Sequence, residues 1–503
     1  MRWTTKLLVT AAIAAASPGT AAAATFYVSP AGSDGNTGSS EAAPWRTLAR
    51  VGSAHLRPGD TVLLRGGGVW QESLEPVDSG TSAAPISFGS YGDGKAVIDG
   101  GGGSSWAGIV LTRVSHLAFS DLEIRGFAAR GDSAVYIAGG SDISLERIDA
   151  HDNYSGVWNS SSGPGSPGVR LLDSRFTGLS TAGIQINIGN TDSTGWTLRN
   201  DEIADAGDSC VIDWAGDSDY EDVNIHHCGY ADRSEVPWPR HGIYAKGPDI
   251  TVRGSEVWDV NTSGYGGQCI SMREGGLVEA NDLHDCTGGV GFFDYTRRAT
   301  QTLTIRRNRI WSFTAWGIYL DPVGTNGENP YNVPGHSETF NVVNNTLVST
   351  GPANEALAVA GASAGYSARV NVDNNVLVSN HRGDTALTVL ESPGYAGVTL
   401  YASHSNVLWN TAGTTYLEYK GTLLTSPNRI PGDHGSVVSN PGLRSLSREH
   451  PNFGLGLKSP AIDLGVVQAA GGALTPSCNG AALSYCGAAP DAGANESTAS
   501  LRR

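Results

Sequence analysis

The chain has 503 residues and a formal net charge of −16, which excludes the basic face that nucleic-acid-binding proteins present. Its 67 glycines, 2 methionines and 16% charged residues indicate a turn-rich β protein and argue against a helical bundle.

The N-terminus has the pattern of a secretory signal peptide. Arg2 and Lys6 precede an apolar run over residues 7–16, and small residues follow up to Ala24. No later segment has the roughly 20 uninterrupted apolar residues that a membrane helix needs. We therefore expect a signal peptide over residues 1–24, a secreted, extracellular protein and no membrane partner.

Six cysteines are present, and six can pair in fifteen ways. Cys478 and Cys486 are close together in a segment rich in Gly and Ala, so we expect them to form a disulfide. The sequence leaves the pairing of the other four open: Cys210, Cys228, Cys269 and Cys286. No Cys or His spacing typical of a zinc site is present, and the sequence alone identifies no metal ligands.

A repeat of roughly 20 to 33 residues dominates the rest of the sequence. An alternating strand, a turn with Asn, Asp or Gly and a second strand recur at residues 250–258, 303–311, 340–348 and 370–378. A third strand recurs at residues 182–187, 241–246, 268–273, 289–294 and 316–321. Units too small to bury their own apolar face must stack, which predicts a parallel solenoid of about eleven coils. A β-propeller is a weaker alternative, because its blades have four strands.

The ends of the repeat array resemble those of a known enzyme class. Residues 25–38, 44–48 and 56–64 are similar to the N-terminal cap of secreted right-handed parallel β-helix enzymes that degrade polysaccharides, the pectate-lyase-like superfamily. Residues 459–465 and 490–496 resemble their C-terminal strap. The resemblance implies an all-β catalytic domain over residues 25–492, a disordered tail over 493–503 and, because both ends are capped, a monomer.

Aligning the third strands places polar and aromatic residues of successive coils in outward columns. One column reads Asn187, Asp213, Lys246, Arg273, Asp294 and Asp321, and its neighbour includes Gln185, Tyr244, Ser271, Phe292 and Tyr319. The candidate catalytic residues are Lys246, Arg273, His241, Tyr244, Asp213, Asp294 and Asp321. The candidate substrate-binding residues are Trp214, Trp238, Arg240, Gln268, Phe292, Tyr295 and Tyr319. The alternative for these columns is a ladder of mutually compensating surface charges.

Lys246 and Arg273, one coil apart, are similar to the Lys–Arg pair of the chondroitinase-B and alginate-lyase family. That resemblance implies β-elimination on a uronate-containing polysaccharide or oligosaccharide, with Lys246 as the base and Arg273 assisting. The family holds calcium with Asn and Glu, but here Pro239 and His241 stand near the positions of the expected glutamates. Calcium is therefore only a possibility without identified ligands, and cations such as Arg240 or Arg273 would have to neutralise the carboxylate.

Two other functions remain open. Asp294 and Asp321 are expected on adjacent coils, near the separation of about 5 to 5.5 Å that retaining glycoside hydrolases use. A non-catalytic surface protein that binds glycans would use the same aromatic residues without turnover. Absorbance of an unsaturated product, release of reducing ends and binding without turnover distinguish the three functions.

Overall fold

The computed structural model describes residues 22–101, 105–161, 164–186, 192–230, 239–261, 266–295, 298–322, 335–349, 355–362, 366–389, 398–447, 451–469, 472–473, 475–476, 484–485 and 488–494. Most of the predicted signal peptide, Asn187, Trp238 and the predicted Cys478–Cys486 pair lie outside these residues. The expectations for them stay predictions.

Three long parallel sheets, A, B and C, form the body of the molecule. Sheet A contains β1 (Thr25–Val28), β2 (Thr61–Arg65), β4 (Ile86–Tyr91), β7 (Leu117–Ser120), β10 (Ile143–Glu146), β13 (Arg170–Leu172), β16 (Thr197–Arg199), β19 (Asp219–Glu221), β22 (Ile250–Arg253), β25 (Gly276–Glu279), β28 (Thr300–Arg306), β31 (Ser337–Val343), β34 (Ser367–Asp373), β37 (Val398–His404) and β41 (Asp433–His434). Sheet B contains β3 (Val69–Trp70), β5 (Ala96–Asp99), β8 (Leu122–Arg125), β11 (Asp149–Asn153), β14 (Arg175–Leu179), β17 (Glu202–Ala206), β20 (Asn224–Cys228), β23 (Glu256–Val260), β26 (Asp282–His284), β29 (Arg309–Trp311), β32 (Thr346–Val348), β35 (Val376–Ser379), β38 (Val407–Asn410) and β42 (Val437–Val438).

Sheet C contains β6 (Ala107–Thr112), β9 (Ser133–Ala138), β12 (Val157–Asn159), β15 (Ile184–Ile186), β18 (Val211–Asp213), β21 (Ile243–Ala245), β24 (Gln268–Met272), β27 (Gly288–Phe293), β30 (Trp316–Asp321), β33 (Glu355–Val359), β36 (Thr385–Val389), β39 (Tyr416–Tyr419) and the antiparallel β40 (Thr422–Leu424). Short pairs outside the three sheets are β43 (Leu443–Ser445) with β44 (Asn452–Leu455), β45 (Gln468–Ala469) with β46 (Gly472–Ala473), and β47 (Thr475–Pro476) with β48 (Ser484–Tyr485). The helices of the described chain are α1 (Leu48–Gly52) and a 3₁₀ turn at Pro427–Arg429.

The order of the strands confirms the predicted parallel β-helix. From β4 to β39 the chain passes in turn through an A strand, a B strand and a C strand, and each of these strands pairs with the equivalent strand one coil away. Within the described chain, complete A–B–C coils run from β4–β5–β6 to β37–β38–β39, twelve in all and one more than expected. Parallel crossovers of this kind are right-handed in almost all proteins.

The turn between sheets A and B depends on one left-handed residue followed by one buried polar residue. Asn344 has φ 55° and Asn374 has φ 57°, a conformation that Asn tolerates better than most residues. The residue after each, Asn345 or Asn375, is fully buried. The Asn345 amide donates to the carbonyl oxygens of Ile305 and of the Asn375 side chain at 2.9 and 3.1 Å. Asn345 and Asn375 therefore have a structural role inside the coil.

Both ends of the coil are covered. Trp45 is buried and stacks on Phe26 at the first strand, with ring centroids 4.7 Å apart. At the other end the C-terminal segment packs Phe453, Leu455 and Ile462 onto the outer face of sheet B. The backbone nitrogen of Ala494, within the segment 490–496 that resembles the strap, donates to Thr346 Oγ1 at 2.9 Å.

Two disulfides lie inside the middle coils. Cys210 pairs with Cys228, and Cys269 pairs with Cys286, with Cα–Cα distances of 5.4 and 5.6 Å. The sequence alone leaves the pairing of these four cysteines open. Disulfides of this kind form and persist in oxidising compartments, in agreement with the predicted export. In the part of the chain that the structure describes, no helix is long and apolar enough to cross a membrane.

Candidate functional site

The outer face of sheet C presents side chains from successive coils in a column. Ile212 pairs with Tyr244, which pairs with Ser271, and the column continues through Gly291 to Tyr319. A second column contains the residues that directly follow β21 and β24, which are Lys246 and Arg273. These two residues lie on neighbouring coils, as predicted. The register of the remaining members differs from the prediction.

Asp213 does not belong to the outer column. It pairs with Ile186 and Ala245, whose side chains are fully buried, so the predicted register of this strand was wrong by one residue. Its carboxylate faces the interior, where Tyr220 Oη donates to it at 2.9 Å and the backbone nitrogen of Ala215 donates at 2.8 Å. Burial raises the pKa of Asp213. A side chain that is 0% exposed does not reach a polymer bound outside the coil.

The predicted register of β27 was also wrong by one residue. Phe292 pairs with Leu320 and is fully buried, so it packs in the core and does not line the outer face. Phe293 pairs with Asp321, and Phe293 therefore takes the column position that the sequence assigned to Asp294. Asp294 lies one residue further on, where the chain leaves sheet C towards sheet A.

Lys246 lies in a cage of aromatic rings. Its Nζ is 3.7 Å from the ring centroid of Trp214, 4.6 Å from that of Tyr244 and 4.9 Å from that of Tyr295. Ring faces attract a cation, so the cage stabilises the charged ammonium form. Lys246 and the three aromatic residues are all partly exposed. The structure therefore brings together the predicted lysine and two of its predicted aromatic partners, Trp214 and Tyr295.

Arg273 is held firmly beside this cage. Its Nη1 donates to Ser271 Oγ at 2.8 Å, and its Nη2 donates to Tyr244 Oη at 3.3 Å. The guanidinium also lies over the rings of Tyr244 and Phe293, at 4.8 and 4.9 Å from their centroids. Tyr244 thus contacts both cations. Lys246 is partly exposed and Arg273 is 7% exposed, and the two place positive charges side by side on a chain whose net charge is −16.

His241, Gln268 and Arg240 are buried close to this face. His241 is 1% exposed, and its Nδ1 accepts a hydrogen bond from the backbone nitrogen of Gln268 at 3.2 Å. Burial, and then the charges of Arg273 and Lys246, hold the pKa of His241 well below its usual value. Arg240 is 6% exposed and donates from Nη1 to the carbonyl oxygen of Gly229 at 2.6 Å.

Further aromatic residues extend the face toward the C-terminal coils. The ring of Tyr319 lies 5.5 Å from that of Phe293 and 4.8 Å from that of Trp316, and all three are partly exposed. Asp321 follows in the column of Phe293 but is only 2% exposed.

A second group of side chains lies at the corner where sheet C leads into sheet A. Asp294, His336 and Glu338 each offer one ligand atom, and these three atoms lie within 4.8 Å of one another. All three side chains are about 1% exposed or less. Gln301 donates from Nε2 to Asp294 Oδ1 at 3.4 Å and to Glu338 Oε1 at 2.5 Å. Burial, and then the charge of Asp294, raise the pKa of Glu338 well above its usual value.

The sequence predicted Asp294 but missed His336, Glu338 and Gln301. Gln301 and Glu338 pair across β28 and β31 and share the inward side of their strands with Leu303 and Phe340. The repeats recognised in the sequence begin at Leu303 and Phe340, two residues after Gln301 and Glu338. If the alternation is continued backward by two residues, each strand has a polar side chain at an inward position. Such inward polar residues are the feature of the sequence that could have identified Gln301 and Glu338.

Comparisons with known proteins agree with this architecture. Residues 26–165 match the family model described as a Pel9A-like right-handed β-helix region, and residues 212–412 match the model described as a right-handed β-helix region. A catalytic unit of a GH87 α-1,3-glucanase from Streptomyces thermodiastaticus superposes with a TM-score of 0.52 at 16% identity, covering 78% of this chain and 70% of that chain. At that identity the likeness shows the fold alone.

Two relatives share shorter stretches of sequence. A segment of 198 aligned residues is 32% identical to a lacto-N-biosidase of Bifidobacterium longum subsp. longum and covers 33% of this chain and 11% of that protein. Another, of 75 residues, is 44% identical to the uncharacterized protein YwoF of Bacillus subtilis and covers 15% of each chain. The matches thus span a small part of either relative. By its strand order and its matched regions, the chain is a right-handed parallel β-helix protein, and its N-terminal region matches the Pel9A-like model.

Proposed function

We propose that this protein is a secreted polysaccharide lyase that cleaves a uronate-containing glycan by β-elimination on the outer face of sheet C. The observation that carries the proposal is the pair Lys246 and Arg273, which lie on neighbouring coils and both contact the ring of Tyr244. Two fixed cations beside partly exposed aromatic rings suit a sugar ring that bears a carboxylate.

Arg273 has the geometry of a carboxylate-binding residue. A guanidinium carries five N–H donors in a fixed fork, and among the described residues Arg273 uses them for bonds to Ser271, Met272 and Tyr244. Donors remain for a substrate carboxylate. The bonds to Ser271 and Tyr244 hold the fork in place before substrate arrives, so little side-chain entropy is lost on binding.

In this proposal Tyr244 is the residue that transfers the proton. The aromatic cage stabilises Lys246 as a cation, which favours a role in binding the carboxylate and disfavours the role of base that the family resemblance implied. Tyr244 Oη accepts a hydrogen bond from Arg273 and lies between the two cations, where a proton can be taken up and returned.

The reaction balances without a redox partner. Tyr244 removes the proton alpha to the carboxylate, and the electron pair of that C–H bond forms the new C=C bond. The C–O bond to the glycosidic oxygen in the beta position breaks, and the leaving oxygen takes the proton from the Tyr244 phenol, which returns Tyr244 to the phenolate form that accepted the proton. Lys246 and Arg273 stabilise the negative charge that gathers on the carboxylate in the transition state.

Hydrolysis is the second candidate function, and Asp294 and Glu338 favour it. Their oxygens lie within 4.8 Å of each other, and the raised pKa of Glu338 suits a general acid, while Asp294 would act as nucleophile. The relative named lacto-N-biosidase is in keeping with this chemistry. Both side chains are buried, however, and Glu338 shares the inward side of β31 with Phe340.

Product analysis tests the two chemistries directly. Wild-type protein and Tyr244→Phe are incubated with a panel of uronate-containing and neutral polysaccharides, and both ultraviolet absorbance and reducing ends are followed. We expect absorbance from an unsaturated product with wild type, and a loss of about 100-fold or more in kcat with Tyr244→Phe. Reducing ends without absorbance would contradict elimination and favour hydrolysis. Binding without either signal would favour a glycan-binding protein.

A further inference from the structure

The buried corner between sheets C and A brings three hydrogen-bond acceptors together. His336 Nε2 lies 3.0 Å from Glu338 Oε1 and 3.9 Å from Asp294 Oδ1. The side chains of His336 and Glu338 are each 1% exposed, and that of Asp294 is fully buried. Two ionised carboxylates packed together away from water repel each other, and either protonation of one of them or a cation between them removes the repulsion.

The orientation of His336 is fixed by its other ring nitrogen. Nδ1 lies 2.8 Å from the carbonyl oxygen of Arg298, and since a carbonyl only accepts, Nδ1 must carry a hydrogen and donate it. In the neutral ring Nε2 then holds a lone pair directed at the two carboxylates. A histidine that donates from one nitrogen to a backbone carbonyl and turns the other toward acidic groups has the arrangement common to metal-binding histidines.

The amide of Gln301 does not satisfy both oxygens of Glu338. Gln301 cannot turn its amide around, because its Oε1 already accepts from the backbone nitrogen of Gly275 at 2.8 Å. Its Nε2 is therefore shared between Asp294 and Glu338. Glu338 Oε2 is buried and has no hydrogen-bond partner among the residues that the structure describes. A buried carboxylate oxygen without a donor is costly, and a cation at this point would remove that cost.

We propose that Asp294, His336 and Glu338 bind one divalent transition-metal ion, of the zinc or manganese type. One imidazole and two carboxylates form a ligand set that suits these metals, whereas calcium and magnesium favour sites made of oxygen alone. The ion would join the end of β27 to the start of β31, at the corner next to Arg273 and Asp321. This site is independent of the proposed elimination, and it gives the buried carboxylates a role other than hydrolysis.

The first experiment measures metal in the wild-type protein, which needs no variant. The full chain is purified without chelator, and its metal content is determined by mass spectrometry. The chain is then stripped and titrated with Zn²⁺, Mn²⁺, Co²⁺ and Ca²⁺. We expect one zinc or manganese per chain, a visible absorption spectrum of bound Co²⁺ that Zn²⁺ displaces, and a rise in Tm with Zn²⁺ or Mn²⁺.

Variants then locate the ion. His336→Gln and Glu338→Gln remove a ligand while keeping a polar side chain of similar size, and each should lower the affinity for Zn²⁺ by about 100-fold or more. The matched control is His284→Gln, because His284 also lies near two carboxylates, those of Asp285 and Glu256, but on sheet B. The control should keep one metal ion per chain.

Three results would overturn the proposal. Wild-type protein without metal, without a Co²⁺ spectrum and without a Tm shift would mean that the three acceptors share a proton. Metal that persists in both His336→Gln and Glu338→Gln would lie elsewhere. Binding of Ca²⁺ in the absence of Zn²⁺ or Mn²⁺ binding would contradict the class of metal. The spectrum and metal content of wild type decide the matter even if both variants fail to fold.

Discussion

Lys246 shows how the surroundings of one side chain decide its chemistry. A lysine that acts as a base must lose its proton near neutral pH, whereas three ring faces within 4.9 Å stabilise the protonated form. The cage therefore favours Lys246 as a fixed positive charge that binds the substrate carboxylate.

Two substitutions separate these roles. Lys246→Arg keeps the charge and should keep measurable turnover with a higher KM, because the guanidinium can still stack on the rings. Lys246→Ala should lower kcat/KM by about 100-fold or more, because charge stabilisation in the transition state is lost. Steady-state kinetics on the same substrate checks both. If Lys246→Arg is as inactive as Lys246→Ala, the lysine acts as the base.

His241 contributes a pH dependence with a definite sign. Its pKa in the folded protein is lowered by burial and by Arg273 and Lys246, so the unfolded chain binds one more proton below pH about 6.5. The stability that neutral His241 contributes is thus present above this pH and is lost as the pH falls below it. The loss can reach about 1.4 kcal/mol per pH unit.

The variant His241→Gln should lose this dependence. Free energies of unfolding are measured by urea denaturation at pH 7 and pH 5 for wild type, His241→Gln and a control, His55→Gln, at an exposed position. The decrease from pH 7 to pH 5 should be smaller in His241→Gln than in the other two. Equal decreases in all three proteins would show that His241 is protonated in the fold.

At the scale of the strand, alternation was predictable from the sequence and register was not. Period-two patterns identified the third strands and placed Lys246 and Arg273 in one column. The sequence alignment of the third strands placed Asp213 and Phe292 on the outer face of sheet C. The segments aligned there have different lengths, so the alignment was wrong by one residue at both strands. A shift of one residue moves a side chain to the opposite face, so this small error turned two core residues into candidate site residues.

The group formed by Asp294, His336 and Glu338 could not be predicted from local sequence patterns. Asp294 directly follows β27 and Glu338 lies on β31, and the chain between them passes through β28, β29 and β30. No local pattern brings such residues together, because their proximity comes from the stacking of one coil on the next. Glu338 was recognisable only as a polar residue at an inward position of a strand.

The buried asparagines between sheets A and B should stabilise the coil strongly. Asn345→Ala removes the partner of the Ile305 carbonyl and of the Asn308 backbone nitrogen, which both lie in the interior. Leaving two buried groups unpaired should lower the free energy of unfolding by about 3 kcal/mol. The control Asn371→Ala, on the partly exposed face of sheet A, should cost less than about 1 kcal/mol. Urea denaturation of both variants checks this, and equal losses would contradict the structural role.

At the scale of the molecule, the fold was predictable from the sequence because every coil has the same arrangement of strands and turns. An alternating strand, a left-handed corner and a second strand occur so often that stacking was the only way to bury the apolar sides. The N-terminal cap and the C-terminal strap were predicted correctly, and the strap extends to Ala494. The reaction did not follow in the same way, because one scaffold supports several chemistries and only side chains at the site distinguish them.

A crystal structure of the Tyr244→Phe variant with an acidic oligosaccharide tests the central claim most directly. We predict that the sugar lies on the outer face of sheet C, with its carboxylate within hydrogen-bonding distance of Arg273 and near Lys246, and a ring against Trp214 or Tyr295. An oligosaccharide bound with its scissile bond at Asp294 and Glu338, or on the outer face of sheet B, would contradict this account.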